Sequence, residues 1–230
     1  METFKSFAQN SYQNYISKFY SFIKDTHNKK KIGAVDVFYP KQKSKQPNRL
    51  ITSGIQGDEP AGPIALLKWV EVNKVPSNIF IIPIVSAESY LNKTHFDDSG
   101  KNVNLNIPNN PADEIKELIN SALLQSISAG GYLSCQEDPK RDAGYLLVWK
   151  DNKELVQNFL ETIKSNFKLH GDGVLDFTIN DNETLGNYCA KLGAPFSITT
   201  ETPVINTSIN KRVDAQVSMI AKFVEYNGTV

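Results

Sequence analysis

The chain is poor in the side chains that most often grip metals and anions. Its 230 residues contain three histidines and two cysteines. Two thiols, Cys135 and Cys189, exclude a disulfide scaffold, and buried free thiols are their expected fate. Arginine is just as scarce, at Arg49, Arg141 and Arg212, and the remaining cations are lysines. That bears on ligands, because the planar guanidinium is the better fork for a carboxylate. Charge of either sign is not in surplus: the formal net charge is zero and the isoelectric point is near 6.8. A general nucleic-acid binder would need a basic excess, so that class is excluded. No apolar run approaches the roughly 18 residues of a membrane span. The opening "METFKSFAQNSYQNYISKFYSF" has no apolar core of the kind a signal peptide needs. The expectation is a soluble, cytoplasmic protein without membrane or nucleic-acid partners, its oligomeric state left open. Also missing is any G-x-S-x-G motif, and Cys135 has no evident histidine partner, so a serine or cysteine nucleophile is a poor reading.

What is present reads as one globular α/β domain over residues 1–230, with 40% apolar and 22% charged residues. Residues 4–23 carry Phe4, Phe7, Ala8, Tyr12, Tyr15, Ile16, Phe19, Phe22 and Ile23 at helical spacing. The lysine-rich "HNKKKIG" reads as a solvated loop, and residues 1–30 as an N-terminal helix plus this basic loop. "AVDVFYP", "RLITSGI", "NIFIIPIVS", "GGYLSCQED", "YLLVW" and "FSITTETP" read as strands. Helices are expected after "GDEP", with Ile64, Leu67 and Val70 inward, and over "PADEIKELINSALLQSIS", with 115, 118, 119, 122 and 123 inward. Further helices are expected over "NKELVQNFLETIKSNF", "NDNETLGNYCAKLG" and "SINKRVDAQVSMIAKFVEY". Strands alternating with helices predict a three-layer α/β/α domain around a mixed, mostly parallel sheet.

Ligands of such sheets bind beyond the carboxyl ends of the strands. Four polar clusters fall at such ends: "QGDE", "SAES", "QEDP" and "TETP". Two carry a glutamate in a setting that suggests chemistry, Glu59 and Glu201. Each also has a plain structural reading, Glu59 as a first-turn acid of a helix and Glu201 as a strand-end acid.

Together "SGIQGDEPAG", "GKNVNLNIP", "LSCQEDP" and "ITTETP" resemble, in order, four blocks of the zinc carboxypeptidase superfamily. The short chain is most similar to the branch that includes succinylglutamate desuccinylases and aspartoacylases. The resemblance implies a carboxypeptidase-like fold and a zinc held by two His and one Glu, with an open position for water. It implies amide hydrolysis with a second glutamate as general base. Carried over, Glu59 matches the Glu ligand, Glu201 the catalytic base, and Asn104 the substrate-binding Asn. The departures are Gln56 and Gln136 at the two His positions and Leu105 at the substrate Arg. An amide oxygen is a weaker zinc donor than imidazole, so Gln56, Glu59 and Gln136 imply a degenerate site with weak zinc. His95 is the one histidine near the blocks, with a surface or packing role the expectation. Asp58, Glu137 and Asp138 are expected as caps and supporting acids. Terminal-carboxylate recognition falls to Lys101 or Arg141, with Arg141 preferred. The resemblance thus implies a metal-dependent hydrolase acting on a peptide or acyl-amino acid. The departures imply an impaired relative that binds a peptide or small acidic ligand.

Overall fold

The computed structural model describes residues 2–120, 122–150, 152–175 and 184–226, with side chains from residue 11 onward. In chain order the elements are α1 (Glu2–Ile23), β1 (His27–Ile32), β2 (Val35–Pro40), β3 (Arg49–Ser53), α2 (Ala61–Val72), β4 (Ile79–Ile82) and α3 (Ala87–Asn92). After a short 3-10 turn at Asp113–Ile115 come α4 (Lys116–Ile119), α5 (Ala122–Ile127), β5 (Tyr132–Asp138), β6 (Ala143–Lys150) and α6 (Lys153–Asn166). The chain closes with β7 (Lys168–Leu175), α7 (Leu185–Lys191), β8 (Ser197–Pro203) and α8 (Ile209–Glu225).

The eight strands form one sheet in the order β1-β2-β4-β3-β5-β8-β6-β7. Its centre, β4-β3-β5-β8, is parallel throughout. The flanks β1-β2, β2-β4 and β6-β8 are antiparallel, while β6 and β7 are parallel. The mixed, mostly parallel α/β sheet expected from the sequence is therefore present. Alternate side chains serve opposite cores, as the strand period of two requires. Ile51, Ile81, Leu133 and Cys135 join α1, α2, α6 and α8 on one face. Leu50, Ile82 and Tyr132 join α4, α5 and α7 on the other. That alternation makes the three layers.

Several local expectations are corrected. "HNKKKIG" is not a loop: His27–Ile32 is an edge strand paired with β2. Lysines hide its pattern, and lysine on an edge strand also discourages pairing with another chain. His27 is buried, its Nε2 2.9 Å from the Ile79 carbonyl oxygen. Helix α2 turns Ile64 outward, at 42% exposure, and buries Ala61, Gly62, Pro63, Ala65, Leu66, Trp69 and Val70. Small residues lead that face because α2 lies almost on β5: a Cβ at Gly62 would sit 2.4 Å from the Cys135 carbonyl oxygen. The single helix expected over residues 111–128 is broken into the 3-10 turn, α4 and α5; Ile115, Leu118 and Ile119 are buried as expected, while in α5 Leu124 and Ile127 are buried in place of 122 and 123. Strand β7 and helix α3 went unanticipated, β7 because glycine and polar residues mask its alternation. The "NDNE" part of the α7 expectation lies outside the described residues, and Thr184 caps the helix. Phe4, Phe7 and Ala8 likewise have side chains outside the description. Both thiols are free and buried, as expected. Among the described residues no helix is long and apolar enough to cross a membrane.

Candidate functional site

All four polar clusters follow strands of the parallel centre, so topology brings them to one edge of the sheet. Register does the rest. Gln136 on β5 pairs with Glu201 on β8, and Glu201 pairs on its other side with Tyr145 on β6. Directly paired residues share a face. Gln136, Glu201 and Tyr145 therefore stand in a row above the sheet.

The two glutamines are held in a continuous hydrogen-bonded chain of amides. Gln56 Nε2 donates to Asn102 Oδ1 at 3.2 Å, and the same oxygen accepts the Asn104 N–H at 2.9 Å. Asn104 Nδ2 donates to Gln136 Oε1 at 3.3 Å, and Gln136 Nε2 donates to Ser134 Oγ at 2.9 Å. Asn104 Oδ1 accepts the Leu185 N–H at 3.0 Å, tying the chain to the start of α7. Gln56, Asn104 and Gln136 are buried, and Asn102 is half-buried.

Glu59 and Glu201 face each other beside this chain. Glu59 is 4% exposed and accepts the Glu137 N–H at 3.2 Å. Burial drives its carboxyl well above the usual range, and the Glu201 charge drives it further. Glu201 is 7% exposed, and its carboxyl has no hydrogen-bond partner among the described residues. Burial, then Asp138 and Glu137, push it well above the usual range, against the nearby Arg141. Neither carboxyl forms an ion pair among the described residues. Two close carboxyls in a dry site favour the protonated form.

The expected supporting acids are on the opposite face or at the rim. Glu137 Oε2 accepts the Ala61 N–H at 2.6 Å at the start of α2. Its Oε1 lies 2.8 Å from Arg212 Nε in a fully buried ion pair reaching from α8, without hydrogen-bond alignment. Helix α2 is thus capped from β5, and neither Asp58 nor Glu59 occupies its first turn. Asp138 accepts the Tyr145 hydroxyl at 2.7 Å and pairs with Arg141 Nε at 3.1 Å. Arg141 also lies over the Tyr145 ring and faces His170. It is therefore a rim residue fixed beside Glu201 rather than a free turn cation. Lys101 is committed to Asp113 at 3.0 Å.

His95, expected in a surface or packing role, is part-exposed and also reaches Asp58. Its Nδ1 lies 2.5 Å from Asp58 Oδ1, and donor atoms of Asp58, Glu59 and His95 all come within 4.8 Å of one another. Sequence proximity gives no hint of this, because 37 positions separate the pair. Asn102, Tyr145 and Arg212 were not singled out in the sequence, since each enters through tertiary contact alone.

Solved structures share this arrangement of strands and helices. One, from Shewanella denitrificans and provisionally described as a metallopeptidase, has a TM-score of 0.84 at 21% identity, covering 94% of this chain and 88% of its own. A metallo-carboxypeptidase from Burkholderia cenocepacia has a TM-score of 0.63 at 11% identity, covering 89% of this chain and 67% of its own. The fold is carboxypeptidase-like. A succinylglutamate desuccinylase/aspartoacylase structure from Rhodobacter sphaeroides is similar as well, with a TM-score of 0.57 at 17% identity over 82% of this chain and 57% of its own. The neighbours thus include the superfamily and the branch that the four sequence blocks resemble. No protein-family model and no curated protein matches the sequence.

The resemblance of the four sequence blocks implies a zinc, and the residues at the corresponding positions do not fit one held tightly. Gln56, Glu59 and Gln136 offer one carboxylate and two neutral amides. Both polar atoms of the Gln136 amide are already engaged, by Asn104 and Ser134. Zinc favours imidazole, thiolate and carboxylate donors over amide oxygen.

Proposed function

We propose that this carboxypeptidase-like cleft serves as a binding site for a peptide or small amide-bearing acid, without hydrolysis at a tightly held zinc. The amide chain from Gln56 through Asn104 to Gln136 carries the reading: the side chains at the two histidine positions bond to protein rather than wait for a metal. Glu59 and Glu201 would receive N–H or ammonium groups of the ligand, which relieve the crowding of two buried carboxyls. Arg141, steadied on Tyr145, would meet the ligand's carboxylate at the rim.

One observation favours a second reading, metal-dependent hydrolysis of a peptide or acyl-amino-acid amide bond with Glu201 as general base. The Glu201 carboxyl is buried without a hydrogen-bond partner among the described residues, and burial drives it well above the usual carboxylate range, the direction that makes a carboxylate a better base. The experiment is to incubate the protein with a library of dipeptides and N-acyl amino acids. Binding is read by calorimetry and products by mass spectrometry, in the parent and in Glu201→Gln. Binding without product supports the first reading. Turnover abolished by Glu201→Gln, with binding kept, supports the second. No binding at all overturns both.

A further inference from the structure

The strongest unassigned constellation is Asp58, Glu59 and His95. Glu59 and Asp58 sit in the turn after β3, and His95 in the loop after α3. Two contacts fix the segments to each other. The Gly57 N–H donates to the Thr94 carbonyl at 2.8 Å, and a Cβ at Gly57 would lie 1.6 Å from the Ser89 carbonyl oxygen. The three side chains thereby present two carboxylates and an imidazole within 4.8 Å.

A second observation is independent of that clustering. Glu59 is nearly buried, has no cationic partner among the described residues, and faces Glu201, whose carboxyl has no hydrogen-bond partner among them. The site therefore gathers two buried carboxyls with which no cationic group of the described residues forms an ion pair. The glutamines cannot answer that need, because neutral amides bring no charge and are bonded to each other's neighbours.

We infer that Asp58, Glu59 and His95 form a divalent-cation site, displaced from the Gln56–Glu59–Gln136 line toward the solvent side of the same cleft. Asp58 and His95 are part-exposed, so the cation has an entry path. Two carboxylate oxygens and one imidazole nitrogen suit zinc or manganese(II), and the absence of thiolate disfavours copper(I). Protons compete with any cation for carboxylate and imidazole donors, so affinity falls as pH falls. The inference goes beyond the ligand-binding reading and holds whether the cleft binds or hydrolyses.

The test is calorimetric titration of zinc, and separately manganese(II), into the chelator-stripped full chain. Parent, His95→Ala, Asp58→Asn and Gln136→Ala are compared, with thermal melts to confirm folding. The expected result is one saturable equivalent, weakened about 100-fold or more by either of the first two changes. Gln136→Ala is expected to leave it within a few-fold. No saturable binding in the parent overturns the inference. So does binding that survives both His95→Ala and Asp58→Asn, or that is lost only in Gln136→Ala, which would put the cation back on the glutamine line. Either rim variant alone suffices should the other fail to fold. Ligand titration in chelator separates a failure here from a failure of the binding-cleft reading.

Discussion

Restoring histidine at positions 56 and 136 tests whether the amide chain replaces a metal structurally. The change is best made in a His95→Ala background, so that a displaced cation contributes nothing. Gln136 makes two side-chain hydrogen bonds, to Asn104 and Ser134, and Gln56 makes one to Asn102. At about 1 kcal/mol net each, their loss costs roughly 3 kcal/mol. One imidazole N–H can recover part of that, so about 2–3 kcal/mol is expected. In a chain of this size the melting temperature then falls by roughly 5–10 °C without metal. Zinc should reverse the loss, because a ligand present at about 1,000 times its Kd adds about 4 kcal/mol. The assay is differential scanning calorimetry of the Gln56→His, Gln136→His, His95→Ala chain against His95→Ala alone, each with chelator and with zinc. Equal metal-free melting temperatures would refute the claim that the amides hold this corner together. No zinc-induced rise would refute the claim that only the side chains at 56 and 136 keep zinc from the fold's usual position.

Three further outcomes follow from other contacts. Arg212→Met strands the buried Glu137 carboxylate and should cost about 3–5 kcal/mol in urea unfolding, with much of the loss recovered by adding Glu137→Gln; a cost near zero would mean the pair is not formed. Glu114, buried and bonded by the Ser86 hydroxyl, has its carboxyl pushed by burial from the usual 4.5 to about 7. The folded state therefore holds this proton more tightly than the unfolded one. The contribution is greatest below pH 4.5 and is lost as pH rises to about 7. The full swing is about 3 kcal/mol, and Glu114→Gln should flatten that slope in pH-dependent unfolding; an unchanged slope would sink the assignment. Gly57→Ala drives a Cβ into the Ser89 backbone and should cost more than about 4 kcal/mol or prevent folding, read by thermal melting, whereas a melt within a few degrees of the parent would show that the turn is loose.

The parts of the fold legible in the sequence are those where large apolar side chains follow one period. β3, β4, β5 and β8 carry such runs, and the polar residues that end them mark the cleft. Glu59, Gln136 and Glu201 could be located because each ends or follows a strand. Legibility failed wherever a residue's role depends on what lies across the fold. Ile64 was expected inside because it is large, yet α2 needs small residues against β5. The lysines of β1 and the glycines of β7 conceal edge strands, since an edge strand need bury only part of one side. Arg141 was expected to meet a carboxylate only through the family resemblance; that its Asp138 and Tyr145 contacts bring it beside Glu201 is not visible in sequence. No sequence spacing reveals that Arg212 answers Glu137, or that His95 reaches Asp58.

The distribution of charge around the cleft gives these residues a common logic. Asp58, Glu59, Glu137, Asp138 and Glu201 gather at the ends of three neighbouring strands, against two guanidinium groups. Arg212 compensates Glu137 on the far face of the sheet, and Arg141 compensates Asp138 at the rim. Glu59 and Glu201 are left facing each other where a zinc would supply two positive charges in a carboxypeptidase site. Replacing both imidazoles by amides removes nitrogen donors but adds no charge, so it does nothing for this imbalance. The chain can meet it by protonating the pair, by admitting a cation at Asp58 and His95, or by binding a ligand with an ammonium group. Protonation costs least at low pH and most at high pH, while cation uptake becomes easier as pH rises. As pH rises the cleft should therefore turn from proton-filled to cation-filled. Its affinity for an ammonium ligand should fall wherever zinc is added, since both would draw on Glu59.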